Sequence, residues 1–158
     1  MRKIIECIII VILTIFCLFT LARADLVTIA RNEIGNGELG GNNKGIYVEQ
    51  YLNWQTNLPW CAGFVSYCLK KNGNKIPYLL RAKSFADYGK QLTIKELKSG
   101  DLVIFNRQGG GHIGIIEKIN KDSFISIEGN VGNYPAKVKR ITHQFSDNKI
   151  YKFVRILW

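Results

Sequence analysis

The amino-acid sequence predicts an α+β domain in which N-terminal helices pack on an antiparallel sheet of about five strands. Before residue 98, apolar residues recur at helical spacing, whereas short β-rich segments follow the turn signal at residues 98–101. Helices followed by strands, rather than an alternation of the two, favour an antiparallel sheet. The chain contains no internal repeat, low-complexity tract or Pro/Ser-rich linker, so we expect one compact domain.

The first 24 residues have the composition of an export signal. Arg2 and Lys3 precede an uncharged run at residues 7–22, and the sequence at residues 22–24 is a small-x-small cleavage site. The run is shorter than the roughly 20 apolar residues that a spanning helix needs. We expect residues 1–24 to be removed as a signal peptide, leaving the domain at residues 25–158. Retention of residues 4–22 as a membrane anchor is the alternative.

The remaining domain is basic. Its formal charge is +8, because the leader removes three basic residues and one acidic residue from a chain of net charge +10. Such a surface attracts anionic polymers without identifying one, and a merely soluble basic surface is the simpler interpretation. Anionic wall polymers are the candidate partners, nucleic acid is not expected, and we expect a monomer.

Three helical segments are predicted outside the cysteine-containing segment. The first begins after Asp25, which suits an N-cap, and runs to residue 34; the second covers residues 46–54, and a short turn at residues 84–89 ends at Gly89. Residues 35–40 match the dinucleotide pattern G-x-G-x-x-G. They follow a helix rather than a strand, so a Gly/Asn-rich loop is the better interpretation.

Residues 57–73 predict a helix that carries Cys61 in its first turn. Asn57 suits the N-cap, Pro59 is tolerated in a first turn, and Gly73 suits the position after the helix. Apolar residues three, four, seven and eight positions after Cys61 form the buried face. The partial positive charge of the helix N-terminus favours a thiolate at Cys61, which is how a nucleophilic cysteine is made.

The cysteines support this interpretation. Once Cys7 and Cys17 leave with the signal, Cys61 and Cys68 remain, and seven helical positions separate them by about 10 Å, too far for a disulfide. Exported proteins usually oxidise their cysteines to disulfides, so an unpaired thiol calls for another role, and catalysis is one. A first-turn cysteine can also be a small buried residue, which is the interpretation we give Cys68.

Five strands are predicted in the second half, at residues 102–105, 113–119, 124–127, 138–141 and 151–156. A glycine-rich loop at residues 108–111 leads directly into His112. If residues 120–122 form the turn of the next hairpin, Ile119 faces Ser123 and His112 faces Asn130. Glu128 then lies on the same face as His112, one diagonal step away.

This hairpin can therefore supply an imidazole, a carboxylate and an amide to one site. If the Cys61 helix packs on that face, the thiolate can attack an amide carbonyl while His112 passes a proton to the departing amine. Glu128 or Asn130 would fix the imidazole tautomer, and the Cys61 N–H would stabilise the oxyanion. Water then hydrolyses the thioester.

The remaining polar residues have simpler interpretations. His112 could cap the glycine loop, Glu128 and Asn130 could be ordinary strand-end residues, and His143 lies in a polar stretch typical of solvated surface. The Cys and His residues do not have zinc-site spacing, so neither a metal nor another cofactor is expected.

Four segments together resemble the cysteine, histidine-dependent amidohydrolase/peptidase (CHAP) family. They are the sequences around Cys61, at residues 100–105, at residues 111–115 and at residues 128–130. The resemblance covers nearly all of the chain after the leader. It implies a papain-like fold and hydrolysis of amide bonds in bacterial peptidoglycan, with Cys61 as nucleophile, His112 as base, and Glu128 and Asn130 as orienting groups.

The resemblance leaves several points open. Residues 35–45 lack the Asp-rich calcium loop of some phage lysins, and the related NlpC-type endopeptidases usually have a second histidine as the third residue. Cleavage of the lactyl-amide bond or of a peptide cross-link remains open, as does a role in wall remodelling, lysis or toxicity. A cell-wall-binding module of the same fold that does not cleave, or an envelope-assembly subunit, is the alternative function.

Overall fold

The computed structural model describes residues 25–108 and 110–157. The α-helices there are α1 (Leu26–Asn32), α2 (Ile46–Tyr51) and α3 (Cys61–Lys71), with short 3-10 helices at Ala82–Asp87 and Ile94–Glu96. The helices precede most of the strands, as the α+β prediction requires. The predicted signal peptide, residues 1–24, lies outside the described residues.

The sheet has six antiparallel strands in the order β1-β6-β2-β3-β4-β5. They are β1 (Gly89–Leu92), β2 (Leu102–Phe105), β3 (His112–Ile119), β4 (Ser123–Val131), β5 (Lys137–Gln144) and β6 (Ile150–Ile156). The five predicted strands correspond to β2–β6. Strand β1 was not predicted, because this four-residue edge strand contains no β-branched or aromatic residue and shows no apolar alternation.

Both faces of the sheet are buried, each against a different apolar cluster. Ile113, Ile115 and Ile127 pack with Phe64 and Val65 of α3 in the larger cluster. Successive side chains along a strand point to opposite faces, and the alternate residues form a second cluster on the other face. This cluster contains Val103, Phe105, Ile116, Phe124 and Phe153. The helices therefore cover one face of the sheet, and the second face has its own core.

Two carboxylates, those of Asp25 and Glu38, hold the chain before α3 in place. Asp25 caps α1 as predicted, accepting hydrogen bonds from the N–H groups of Val27 and Thr28 at 2.8 and 3.0 Å. In the loop after α1, Glu38 is buried and accepts hydrogen bonds from the N–H groups of Asn43 and Ala136. This carboxylate ties the loop to the segment between β4 and β5.

Helix α3 begins later than the sequence predicted. The prediction of Asn57 as N-cap is wrong: Asn57 has a φ of +58°, and Trp60 occupies the cap position without a side-chain cap. Cys61 is thus the first residue of the helix rather than a residue further into its first turn. The predicted end is confirmed, since Gly73 has a φ of +78° and donates its N–H to the Lys70 carbonyl at 2.8 Å.

Gly129 allows α3 to lie close to the sheet. A Cβ atom at this position would be 2.7 Å from Phe64 Cβ and 2.9 Å from Trp60 Cζ3. Both contacts are shorter than van der Waals packing permits, so any side chain here would push the helix away from β4. The separation between α3 and the sheet therefore depends on glycine at this position.

Candidate active site

Cys61 lies at the start of α3, at the base of a surface groove. The groove has a volume of about 510 Å³, and its walls are formed by Leu58, Pro59, Leu80, Arg81, Ala82, Gly110 and Gly111. Cys61 and Cys68 are both free thiols, so the predicted absence of a disulfide between them is confirmed. Cys68 is completely buried, and this burial raises the pKa of its thiol well above the ordinary value. Cys61 therefore lines the groove, whereas Cys68 is enclosed in the core.

His112 is the first residue of β3 and contacts both Cys61 and Glu128. Its Nε2 lies 2.8 Å from Glu128 Oε2, and the interaction of the Cys61 side chain with its ring raises the pKa of His112. Because Nε2 is occupied by the carboxylate, Nδ1 is the ring nitrogen left for the sulfur. The structure thus brings together a thiol, an imidazole and a carboxylate from α3, β3 and β4.

The strand register next to the site is the predicted one. Gly114 pairs with Glu128, and Ile116 pairs with Ser126. The turn differs, because Asn120 donates its N–H to the Ser123 carbonyl and closes a two-residue loop instead of a three-residue one. A bulge between Ile116 and Lys118 restores the predicted register towards His112. The bulged residue is Glu117, whose carboxylate binds Arg31 at 2.6 Å and Arg140 at 2.7 Å.

The predicted pairing of Ile119 with Ser123 is wrong, since Ile119 pairs with Phe124, and two further predictions about this hairpin are also wrong. The β3–β4 ladder stops at Gly114 and Glu128, so His112 does not pair with Asn130. The Cys61 helix also packs on the face opposite His112 and Glu128, because that face carries the isoleucines and Gly129 that receive its apolar stripe. Cys61 meets His112 at the start of β3 rather than across the sheet face.

Asn130 is the predicted site residue that the structure leaves without a contact to His112. It has a φ of +60°, and the β4–β5 register is irregular between Glu128 and Val131. Within residues 25–108 and 110–157, its side chain forms no hydrogen bond with the imidazole. Of the two candidate orienting groups, Glu128 is the one that contacts His112.

His143 is a site residue that the sequence analysis missed. It was predicted to be solvated surface, but its side chain is only 15% exposed and its Nε2 lies 2.6 Å from Glu128 Oε1. The ring lies between Phe105 and Phe124, with centroid distances of 4.6 and 5.2 Å. The alternation of Ile141 and His143 in β5 with Phe145 just after it was the signal that could have identified an inward-facing histidine.

Glu128 accepts hydrogen bonds at both of its oxygens. Oε2 contacts His112, while Oε1 contacts His143 and the hydroxyl of Ser126. Gly114 provides the space for this side chain, because a Cβ atom there would lie 2.6 Å from Glu128 Cγ. The carboxylate is therefore held at the centre of a buried polar cluster formed by β3, β4 and β5.

The protonation states of His112 and Glu128 follow from these contacts. Burial by itself would lower the pKa of His112, but its hydrogen bonds to Cys61 and Glu128 raise that pKa to about 9. Burial would raise the pKa of Glu128, but hydrogen bonds from His112 and His143 lower it to about 2. At neutral pH the site therefore contains an ionised carboxylate that stabilises a protonated imidazole.

The described residues also define what the site lacks. No group of three His, Cys, Asp or Glu side chains in residues 25–108 and 110–157 is arranged to hold a metal ion. In the same part of the chain, no helix has the length and apolar character needed to cross a membrane.

The sequence from residue 53 to residue 130 matches the family model described as CHAP domain. This segment contains Cys61, His112 and Glu128, together with the hairpin that joins the last two. Over these residues the chain is similar to the CHAP domain family. No curated protein matches the chain.

Several solved structures have the same papain-like fold as this chain at low sequence identity. The endolysin LysIME-EF1 is 16% identical with a TM-score of 0.56, covering 83% of this chain and 62% of its own. The peptidoglycan hydrolase RipB from Mycobacterium tuberculosis is 20% identical with a TM-score of 0.52, covering 84% of this chain and 63% of its own. An NLP/P60-family protein from Staphylococcus aureus is 15% identical with a TM-score of 0.51, and the match covers 84% of this chain and 40% of that protein. The chain thus spans less than two thirds of each of these proteins.

Proposed function

We propose that this protein is an exported peptidoglycan hydrolase that cleaves amide bonds with Cys61 as nucleophile. The observation that carries the proposal is the series Cys61–His112–Glu128, in which Cys61 lines one surface groove and His112 lines another. The similarity to the CHAP domain family and to RipB, a peptidoglycan hydrolase, supports peptidoglycan as the substrate. An amidase and an endopeptidase are both compatible with this site.

The proposed reaction uses Nδ1 of His112 for proton transfer. The Cys61 thiolate attacks the amide carbonyl and forms a carbon–sulfur bond, while His112 holds the proton that left the sulfur. His112 gives this proton to the nitrogen of the departing amine, and the carbon–nitrogen bond breaks. The neutral imidazole then takes a proton from water, and the resulting hydroxide hydrolyses the thioester to a carboxylate and the free thiol.

Two features of the fold assist this sequence. Cys61 is the first residue of α3, so its N–H has no partner within the helix and can donate to the developing oxyanion. Glu128 accepts a hydrogen bond at Oε2 from Nε2–H of His112, which leaves Nδ1 directed to the sulfur.

Export and binding to the wall are part of the same proposal. Residues 1–24 would direct the chain across the membrane, and the basic domain at residues 25–158 would be attracted to anionic wall polymers as a monomer. The mass of the native protein distinguishes removal of the leader from a retained anchor.

A wall-binding or envelope-assembly module that does not cleave is the competing function. Such a module has no need of a thiol, an imidazole and a carboxylate in mutual contact. A binder would sediment with purified peptidoglycan and release no fragments.

The test compares purified peptidoglycan digested by the wild type, by Cys61→Ser and by Cys68→Ala, with mass spectrometry of the released fragments. We expect the wild type and Cys68→Ala to release the same new ends and Cys61→Ser to release none. Cys68→Ala is the matched control because the same helix carries both thiols. Equal activity of Cys61→Ser and wild type would overturn the mechanism, and binding without cleavage by all three would favour the competing function.

A further inference from the structure

The carboxylate of Glu128 is shared between two histidines on different strands. His112 on β3 contacts Oε2 at 2.8 Å, and His143 on β5 contacts Oε1 at 2.6 Å. Glu128 is 3% exposed, so these contacts rather than solvent determine how its carboxylate is oriented. The reaction described above uses only the first histidine and leaves the second without a role.

We propose that His143 is a positioning residue of the active site, which holds Glu128 against His112 and thereby keeps Nδ1 of His112 directed to Cys61. The inference rests on the proposed function for its catalytic consequence. Its structural part, the orientation of the His112 ring, can be measured whether or not the protein cleaves peptidoglycan.

The hydrogen bonds determine which proton each ring carries. An ionised carboxylate only accepts hydrogen bonds, so both histidines must present Nε2–H to Glu128. For His112 this leaves Nδ1 to exchange a proton with the Cys61 sulfur. Rotation of the carboxylate away from His112 would let that ring adopt the other tautomer, with a proton on Nδ1 and no acceptor site for the thiol.

The surroundings of His143 keep its ring in place. Phe105 and Phe124 pack on it at centroid distances of 4.6 and 5.2 Å. Its Nδ1 lies 4.0 Å from Asp147 Oδ2, too long for a hydrogen bond, and Asp147 Oδ1 accepts the N–H of Lys149. A ring packed between two aromatic residues is a more rigid donor than a long side chain on the surface.

The charged and titratable groups near His143 come from β3, β4 and the segments that follow β2 and β5. Glu128 faces it from β4, Asp147 follows it after β5, and His112 lies on the far side of the carboxylate. Arg107 and Lys149 line the groove of about 580 Å³ that both histidines share. His143 thus contacts the carboxylate of Glu128 and also lines this second groove.

Ser126 provides a second donor to the same oxygen. Its hydroxyl also contacts Glu128 Oε1, and Ser126 is completely buried. Loss of His143 alone should therefore leave the carboxylate partly held, whereas loss of both donors should free it. A positioning role predicts that the double variant is affected more than either single variant.

The experiment uses the fact that the chain contains two histidines. Above about pH 9, where the His112 ring is neutral, nitrogen-15 spectra report its tautomer in the wild type, His143→Gln, His143→Phe, Ser126→Ala and Ser126→Ala/His143→Phe. The glutamine retains an N–H donor, whereas the phenylalanine retains the packing against Phe105 and Phe124 without a donor. If His143→Phe does not fold, His143→Leu provides the same test.

We expect His112 in the wild type and in His143→Gln to remain protonated on Nε2 in its neutral form. In His143→Phe we expect a mixture of tautomers and a kcat about tenfold lower with KM unchanged, and in the double variant a loss of about a hundredfold, as for charge-assisted hydrogen bonds of ordinary strength. A single Nε2–H tautomer in the folded double variant would overturn the proposal. Altered tautomers in a protein that never cleaves peptidoglycan would support the positioning and refute only the proposed function.

Discussion

Gly114 and Glu128 face each other across β3 and β4, and the side chain of Glu128 occupies the space that a Cβ on Gly114 would fill. That Cβ would lie 2.6 Å from Glu128 Cγ and 3.2 Å from Ser126 Cβ. The position of the buried carboxylate therefore depends on the absence of a side chain on the neighbouring strand. This relationship leads to the first of five predictions.

Gly114→Ala should displace Glu128 and reduce the rate of peptidoglycan cleavage. A shift of the carboxylate away from His112 removes a charge-assisted hydrogen bond, so we expect kcat to fall by about tenfold or more. Gly89→Ala is the matched control. Its added Cβ would crowd Val154 Cγ1 at 2.4 Å in the same way, but neither residue belongs to the site. If both variants lose stability equally and keep full kcat, the carboxylate does not need this space.

Gly129→Ala should move α3 away from the sheet. The added methyl group would contact Phe64 and Trp60 at less than 3 Å. Overpacking of this kind costs about 1–3 kcal/mol of unfolding free energy, and here it would also separate Cys61 from His112. Denaturant unfolding and kcat measure the two effects. Truncation of the facing residue, in Phe64→Leu/Gly129→Ala, should restore part of the activity; an undiminished kcat in Gly129→Ala would contradict the prediction.

The stability of the fold should decline at alkaline pH because of His112. Its pKa is about 9 in the folded protein against an ordinary value of 6.5, so the folded state binds the proton more tightly than the unfolded state. The resulting stabilisation is complete below about pH 6.5 and is lost as the pH rises through about 9. Denaturant midpoints between pH 6 and 10 should show this decline in the wild type and a smaller one in His112→Gln. Lys121→Gln, on the exposed hairpin turn, should keep the wild-type slope.

Glu128→Gln should shift the pH range of activity downwards. The negative charge of Glu128 and its hydrogen bond both raise the pKa of His112, so a neutral amide should let His112 lose its proton at lower pH. The alkaline limb of kcat/KM, measured with a soluble peptidoglycan fragment, should therefore lie below that of the wild type. Glu117→Gln removes a carboxylate that binds Arg31 and Arg140 instead, and its limb should stay in place. An unmoved limb in Glu128→Gln would show that the carboxylate does not act on His112.

Asp101 should matter for stability rather than for catalysis. Its carboxylate binds Arg155 through two hydrogen bonds of 2.7 and 2.8 Å and accepts the N–H of Lys98, and it is 2% exposed. Asp101→Ala would leave these donors without their partner, so we expect a loss of roughly 2–4 kcal/mol in unfolding free energy. Calorimetry measures the loss, and kcat at a temperature where the variant is folded should equal that of the wild type. A large fall in kcat of the folded variant would give Asp101 a role beyond stability.

Several elements could be predicted because they depend on neighbouring residues. Strand β2 agrees with its predicted bounds, since four consecutive apolar residues follow a turn. Asp25 was identifiable as a cap because it bonds to the backbone only two and three residues away. The start of α3 was not identifiable, because Asn57 is a residue type that often caps helices but here adopts a left-handed backbone conformation.

His143 shows where sequence reasoning fails at the site. Its neighbours along the chain are polar, and the apolar residues that bury it, Phe105 and Phe124, belong to other strands. Its contact with Glu128 exists only because β5 pairs with β4. No local pattern contains that information beyond a weak alternation along β5.

The sequence by itself determined the order of helices and strands, the identity of the thiol at a helix start, and the register that brings His112 close to Glu128, because each depends on periodicity, capping or hairpin pairing within a short segment. Only the tertiary structure decided that α3 packs on the opposite face of the sheet, that Cys61 reaches His112 at the start of β3, and that a second histidine shares the carboxylate. These contacts join residues from separate strands and helices, and their geometry follows from how apolar faces and glycine positions let those elements approach one another.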